Sequence, residues 1–467
     1  MAVYSYCTGQ GYSWASLNND VFNFIYAAKF IATPHLPGYP VYTFFSIPII
    51  RLPLGPNEGW RMSFFMATIP AILACLFVFL AVKKQTDNKW APFVAAATLA
   101  GCNALIASAS IVNEHSFSTM MISATYLAWV CRKEKTLAIL CGLVTGCHPL
   151  LIPGAFLMGI TRVRKRWWWI PVVLFAGMYT YCVTHNEAFA SFAPTALSIV
   201  IKDFGSLMIG DFPNRLRDTL VVLCCGFGFS LIPAILFFKD IKKSWMLLWC
   251  MTLPVTYWLF TNTEVTIRHL LLAMPFIAVA AGLGLERVKM KPYIIFAVSM
   301  ILILIMPFFY AVGRNVDVGL GAQQFYDNLR KLPDGAIMTN VIKFEGADGP
   351  SGTDERTIVG LWVLDKDEGR KIISFDCSRY MDLTNYGEEY RKGLRDVYGL
   401  NTPIFAVFVV SPTGKEATIP ERDAPVFQLL YMFAKDNPSV DIYYTTITVQ
   451  DPMKRILTRF NYETFFK

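Results

Sequence analysis

The first two thirds of this chain is a succession of apolar runs of about 17–25 residues, the length that crosses a bilayer as a helix, separated by short polar stretches. That pattern predicts a polytopic α-helical membrane protein. The bulk composition agrees, with 54% hydrophobic and only 16% charged residues in 467. Most of the acidic residues fall after Asp334, so a polar tail follows the apolar part. The net charge of +8 is no footprint of nucleic acid. Its lysines and arginines sit in short clusters between apolar runs, as cytoplasmic loop anchors do. No nucleic-acid partner is expected.

Spans are predicted at about Trp60–Val82, Ala91–Val112, Ser116–Cys131, Trp167–Thr184, Thr219–Phe238, Ser244–Phe260, Leu270–Leu285 and Pro292–Val312. The basic loops between them are Lys83-Lys84, "RKEK" at 132–135, "TRVRKR" at 161–166, "KDIKK" at 239–243 and "ERVKMK" at 286–291. Placing all five inside sets the orientation. Thr136–Ile160 then lies between two inside loops, and its middle, "TGCHPLLIPG", is broken by proline and glycine. A re-entrant hairpin of two half-helices satisfies the charge rule if protein shelters the broken backbone; a bent single span is the alternative.

Every other loop falls outside: 1–59, "VNEHS" at 112–116, 185–218, "TNTEVTIRH" at 261–269 and the chain from about Gly313. The organisation expected is an external loop over 1–59, a transmembrane domain over 60–313 and an extracytoplasmic α/β domain over 314–467. In the tail, "GAIMTNVI", "TIVGLWVLD", "RKIISFD", "IFAVFVVS" and "DIYYTTITV" read as strands, and "GAQQFYDNLRKL" and "APVFQLLYMFAKD" as helices. Such alternation suggests a largely parallel sheet. No GxGxxG or Walker loop is present. Nine of eleven cysteines fall in or beside apolar segments, with no CxxC pair, so they read as buried apolar side chains.

The polar residues that carry chemistry collect on the outer face. Asp20 heads an amphipathic stretch, as an N-cap beside Asn19 or as an acid at a helix start. "ATPHLPGYPVY" over 32–42 turns the chain from that interfacial helix into a buried one, a rigid corner with Tyr39 and Tyr42 at headgroup level. Glu114 and His115 stand at an external turn. Arg268 opens a span, where an arginine either snorkels or holds a phosphate. His148 lies deep in the hairpin and reads as structural, bonding to backbone freed by Pro149. The histidines and carboxylates show no HxxxH or HExxH spacing, so no metal is assigned.

These segments also share an order with a known family. An acidic residue, an amphipathic helix and the block His35–Tyr42 resemble the first external loop of a protein O-mannosyltransferase-like family within the GT-C superfamily. "WRMSFF" at 60–65, "IVNEHSFS" at 111–118, "GLVTGCHPLLI" at 142–152 and "RHLLLAMPFIAVAAGLG" at 268–284 are similar to that family's later segments, and "LPDGAIMTN" and "LWVLDKDEGRKIISFD" to its extracytoplasmic part. Asn23 stands where the family has a glutamate, and Phe22 where it has a glycine. The family also has a spanning helix ahead of the aspartate, where this chain has "MAVYSYCTGQGYSWASLNN".

The resemblance implies an inverting membrane glycosyltransferase that takes a sugar, mannose in that family, from a polyprenyl-phosphate donor to an extracytoplasmic protein or glycan. Its setting would be the cell membrane, or the endoplasmic reticulum of a eukaryote. Asp20 and Glu114 are then the catalytic pair, with Asp20 the base. Arg268, His35 and His269 bind the donor phosphate. Asn23, His115 and Tyr39 orient the acceptor. The lipid-linked sugar is the only cofactor implied, with no metal. A catalytically retired structural subunit of a membrane assembly is the alternative. A transporter is disfavoured, because the polar residues gather at one face and no inverted repeat is present.

Overall fold

The computed structural model describes residues 24–25, 27–29, 31, 34, 38–55, 58–185, 216–217, 219–220, 223–224, 227–260, 267–288, 291–306, 331–339, 372–374, 403–409, 441–447 and 458–459. The chain divides into two compact units, Met1–Tyr12 with Ala27–Val316, and Ser13–Tyr26 with Asp317–Lys467.

The first unit is helical. Its elements include α1 (Pro40–Ile50), α2 (Glu58–Lys83), α3 (Ala91–Ala100), α4 (Asn103–Ala109), α5 (Glu114–Val130), α6 (Glu134–Thr145), α7 (Ile152–Arg162), α8 (Trp169–His185), α9 (Leu231–Phe238), α10 (Ile241–Phe260), α11 (Ile267–Leu270), α12 (Met274–Leu283) and α13 (Pro292–Met306). Among the described residues, only α2 is both long and apolar enough to cross a membrane as one helix. Three other expected spans run as single helices, α5 and α8 of 17 residues and α10 of 20, while others are divided. The stretch predicted as one span over Ala91–Val112 breaks at Gly101-Cys102, where Cys102 turns extended (φ −68°, ψ 116°) and α4 restarts. Glycine is the weakest helix former after proline. The carbonyls freed at the end of α4 are taken by hydroxyls of α2: Ser63 donates to Ser110 O (3.0 Å) and Thr68 to Ala109 O (2.8 Å).

The hairpin is present. α6 and α7 are separated at Gly146–His148 and a 3₁₀ turn, Pro149–Leu151, and they return against each other, with Cys141 Sγ on Ala155 O at 3.1 Å. Its two basic flanks come together: Arg164 Nε lies 3.0 Å from Glu134 Oε1, and Lys135 and Arg162 cover the rings of Trp167 and Trp129. The remaining basic loops link in the same manner. Tyr126 donates to Gln85 (3.2 Å), Thr86 to Glu286 (2.7 Å) and Arg287 to Asp240 (3.0 Å). The bent-span alternative would have sent 132–135 and 161–166 to opposite ends.

α5 is the central strut. It packs against α2 and α6, and twelve of its 17 residues are buried. Three of its buried hydroxyls bond one turn back along the helix, Thr119 to His115 O, Ser123 to Thr119 O and Thr125 to Met121 O, each at 2.7 Å, and so need no partner helix. At 1.5 Å per residue, 17 residues carry the chain about 25 Å from the basic loops to Glu114. That is close to the thickness of a hydrocarbon core.

The second unit contains a five-stranded sheet: β1 (Ala336–Thr339), β2 (Ile372–Ser374), β3 (Ile404–Val409), β4 (Ile442–Ile447) and β5 (Thr458–Arg459), in the order β2-β1-β3-β4-β5. The first four are parallel and β5 runs antiparallel to β4. β1 to β4 lie on stretches read as strands from the sequence; "TIVGLWVLD" and both expected tail helices lie outside the described residues.

Candidate active site

The corner forms as its prolines and glycine dictate. Gly38 (φ 92°) and Tyr39 (φ 39°, ψ 53°) are both left-handed, which reverses the chain, and Pro40 then opens α1 at the helix position where its missing N–H costs nothing. Tyrosine in this region is strained by roughly 1–2 kcal/mol, and its surroundings must hold it there. They do so through the hairpin. Val41 N donates to Gly146 O (3.1 Å), and the Tyr39 ring lies 5.7 Å from that of His148. Tyr39 and Tyr42 are both buried in protein rather than presented outward at headgroup level, with Tyr42 edge-on to Phe117. The hairpin break is sheltered from the other side too, since Ser118 of α5 donates to Cys147 O (3.3 Å). The broken backbone is thus bonded by protein, as depth in a membrane demands.

α5 begins at a tightly bonded cap. Asn113 is extended and accepts the His115 amide on Oδ1 (3.0 Å). Ser108 donates to the same oxygen (2.7 Å), and Asn113 Nδ2 returns a bond to Ser108 O (2.8 Å). The cap sets the first helical residue, Glu114, and the second, His115, into the interior, where both are essentially inaccessible to water. A carboxylate in a first helical turn is favoured by the helix dipole. Buried as this one is, it needs a positive or donating partner as well.

His115 is its close neighbour, with Nδ1 2.9 Å from Glu114 Oε1, near enough for the carboxylate to act on the ring by charge. On its far side, His115 Nε2 is 3.1 Å from Nδ1 of His269, so the two rings share one hydrogen bond. Glu114, His115 and His269 therefore form a line from α5 to α11. His148 completes the group. Its ring centroid is 5.4 Å from that of His115 and 5.3 Å from that of His269. Its Nδ1 accepts the Leu150 amide at 3.2 Å, capping the 3₁₀ turn after the break. His148 bonds to backbone as expected, at the Leu150 amide, and its place beside His115 and His269 was not foreseen. Tyr257 stands edge-on to His269 at 5.2 Å.

No protein-family model and no curated protein matches this sequence. Among solved structures, the chain is similar to ArnT from Cupriavidus metallidurans bound to undecaprenyl phosphate, with a TM-score of 0.56, 8% identity, and coverage of 80% of this chain and 87% of that one. It is equally similar to ArnT in the apo state, with a TM-score of 0.56, 9% identity, and coverage of 84% and 89%. At this identity the likeness speaks for the fold alone, which the chain shares with ArnT over most of its length.

Of the residues expected from sequence, Tyr39, Glu114, His115 and His269 are brought together around His148. Asp20, Asn23 and His35 lie outside the described residues, and of Arg268 only the backbone, in α11, is described. The expectation of no metal rested on spacing along the chain. In space, ligand atoms of His115, His148 and His269 all lie within 4.8 Å of one another. The signal that pointed to His148 was its cost: an ionisable ring in an apolar segment needs a partner. Nothing local to residue 148 names a partner 33 residues upstream.

Proposed function

We propose that this chain is a membrane glycosyltransferase that moves a sugar from a polyprenyl-phosphate donor to a hydroxyl of an extracytoplasmic protein or glycan, with inversion. The observation that supports it most is the buried Glu114–His115–His269 line at the end of a GT-C-like fold opposite the basic loops. ArnT, which the chain resembles in fold, binds undecaprenyl phosphate.

In this reading the acceptor oxygen attacks the anomeric carbon and its proton passes to the carboxylate of Asp20. The anomeric carbon–oxygen bond breaks, and the polyprenyl phosphate leaves with the bonding pair. General-base help of this kind contributes about 10²–10⁴ in rate. Arg268, His269 and His35 receive the departing phosphate. Glu114 and His115 position His269, through the carboxylate's charge beside His115 Nδ1 and the hydrogen bond that His115 Nε2 shares with His269 Nδ1. Asn23, His115 and Tyr39 orient the acceptor. Mannose is the sugar the O-mannosyltransferase resemblance favours. A second reading, a retired relative serving as a structural subunit, is favoured by one feature, Asn23 in the place of that family's second carboxylate.

The test is transfer from radiolabelled polyprenyl-phosphate sugars by membranes carrying wild type or Asp20→Asn. Transfer by wild type with a loss of 10²-fold or more in the variant is expected. Equal transfer in both removes Asp20 from the mechanism. Absence of transfer with mannose and glucose donors alike favours the structural subunit.

A further inference from the structure

Three buried imidazoles in one place are more than the positioning of one phosphate-binding histidine requires. Their centroids stand 4.9, 5.3 and 5.4 Å apart, a nearly equilateral triangle whose corners come from three separate elements: α5, the hairpin break and α11. We propose that His115, His148 and His269 bind one divalent transition-metal ion of the zinc class, with Glu114 as the outer carboxylate.

The chemistry of each ring carries the assignment. Glu114 Oε1 lies 2.9 Å from His115 Nδ1 without accepting a hydrogen bond from it, and its charge favours the tautomer that carries its proton on Nδ1 and turns the Nε2 lone pair into the cluster. This carboxylate–histidine arrangement is the usual support behind a metal-bound imidazole. Nε2 of His115 and Nδ1 of His269 face each other at 3.1 Å. Two nitrogens bound to a tetrahedral ion at 2.0–2.1 Å are about 3.3 Å apart. A shared proton between these rings and a metal beside both therefore need almost the same geometry. Imidazole ligands suit zinc and its neighbours, and exclude the hard ions magnesium and calcium, which take oxygen.

The third ring has to move. The widest separation among the three ligand atoms, 4.8 Å, exceeds that of a closed site by about 1.5 Å. His148 is the ring whose tie is easiest to exchange. Accepting the Leu150 amide on Nδ1, at a long 3.2 Å, places its proton on Nε2. Ligation through Nε2 moves that proton to Nδ1 and gives up the Leu150 bond. Three protein ligands leave a fourth position for a water or an anion, the open arrangement of catalytic rather than structural zinc. The proposal concerns binding and stands whether or not the transferase reading holds.

The experiment uses the full chain in detergent, stripped with a chelator and titrated with Co²⁺. One Co²⁺ per chain is expected, with the visible absorption of four-coordinate cobalt, bleached by one equivalent of Zn²⁺. His115→Ala should abolish the bands, and Glu114→Gln should weaken binding about 10–100-fold. His148→Asn is the decisive variant, because asparagine keeps an acceptor for the Leu150 amide while removing the ligand. It should fold and melt like wild type yet bind Co²⁺ at least tenfold more weakly. Wild-type affinity in His148→Asn, or equal Co²⁺ stoichiometry in His115→Ala and wild type, overturns the site. Metal content is read without any sugar transfer, so an inactive protein that binds Co²⁺ overturns only the transferase reading.

Discussion

Replacing Asn113 tests the claim that one side chain sets the register of the site. Its oxygen caps α5 and also accepts from Ser108, while its nitrogen donates to Ser108 O, and the residue is buried. Asn113→Ala removes the cap, worth about 1 kcal/mol. It also strands the Ser108 carbonyl, which has no water to turn to; a buried group losing its partner costs about 1–3 kcal/mol. The Ser108 hydroxyl is less affected, since it also accepts from Ser116 Oγ at 2.9 Å. Together these give about 2–4 kcal/mol. Asn113→Ser restores the cap alone and should recover about 1 kcal/mol of it. Equilibrium unfolding in mixed detergent–SDS micelles measures the difference. Because Glu114 and His115 follow the cap directly, Asn113→Ala should also reduce Co²⁺ affinity. An Asn113→Ala protein within about 0.5 kcal/mol of wild type would refute the reasoning, since even the cap alone is worth more.

Other outcomes follow from the same geometry. At Gly284, where α12 ends, an added Cβ lands on the backbone carbonyl of Pro233 at α9, and backbone does not yield as a side chain does. Gly284→Ala should cost about 1–3 kcal/mol by overpacking, read by the same unfolding assay, while Gly177→Ala, inside α8 where an added Cβ meets nothing within 4 Å, should stabilise by up to about 1 kcal/mol through helix propensity. Desolvation opposes ionisation of Asp240, but its bonds to Arg287 and to the Lys243 amide, with the charges of both residues, together outweigh it and hold its pKa below the usual carboxylate value. A depressed folded pKa means that this pair stabilises the loop ends above the unfolded carboxylate pKa of about 3.9 and ceases to as pH falls through the folded value. Thermal stability measured from pH 6 down to pH 3 should fall less steeply in Arg287→Leu than in wild type.

The helical make-up of the first unit could be read from apolar run length and charge, since long apolar runs favour helices that bond their own backbone. The five basic loops gather at one end, and the proline and glycine of "TGCHPLLIPG" break the chain where they should. The corner at Gly38-Tyr39-Pro40 was legible for a similar reason: backbone conformations with positive φ are written in residue type. The break at Gly101-Cys102 was not, since one glycine in a long apolar run is as common within a helix as at its end. The polar face was visible as a set of residues, Glu114, His115 and His269 among them, though not as a constellation. His115, His148 and His269 are 33 to 154 positions apart in the chain, with no periodicity linking them. What joined them was packing. α5, the hairpin and α11 bring their ends to one level, and a buried ring in a medium without water has only other buried groups to bond.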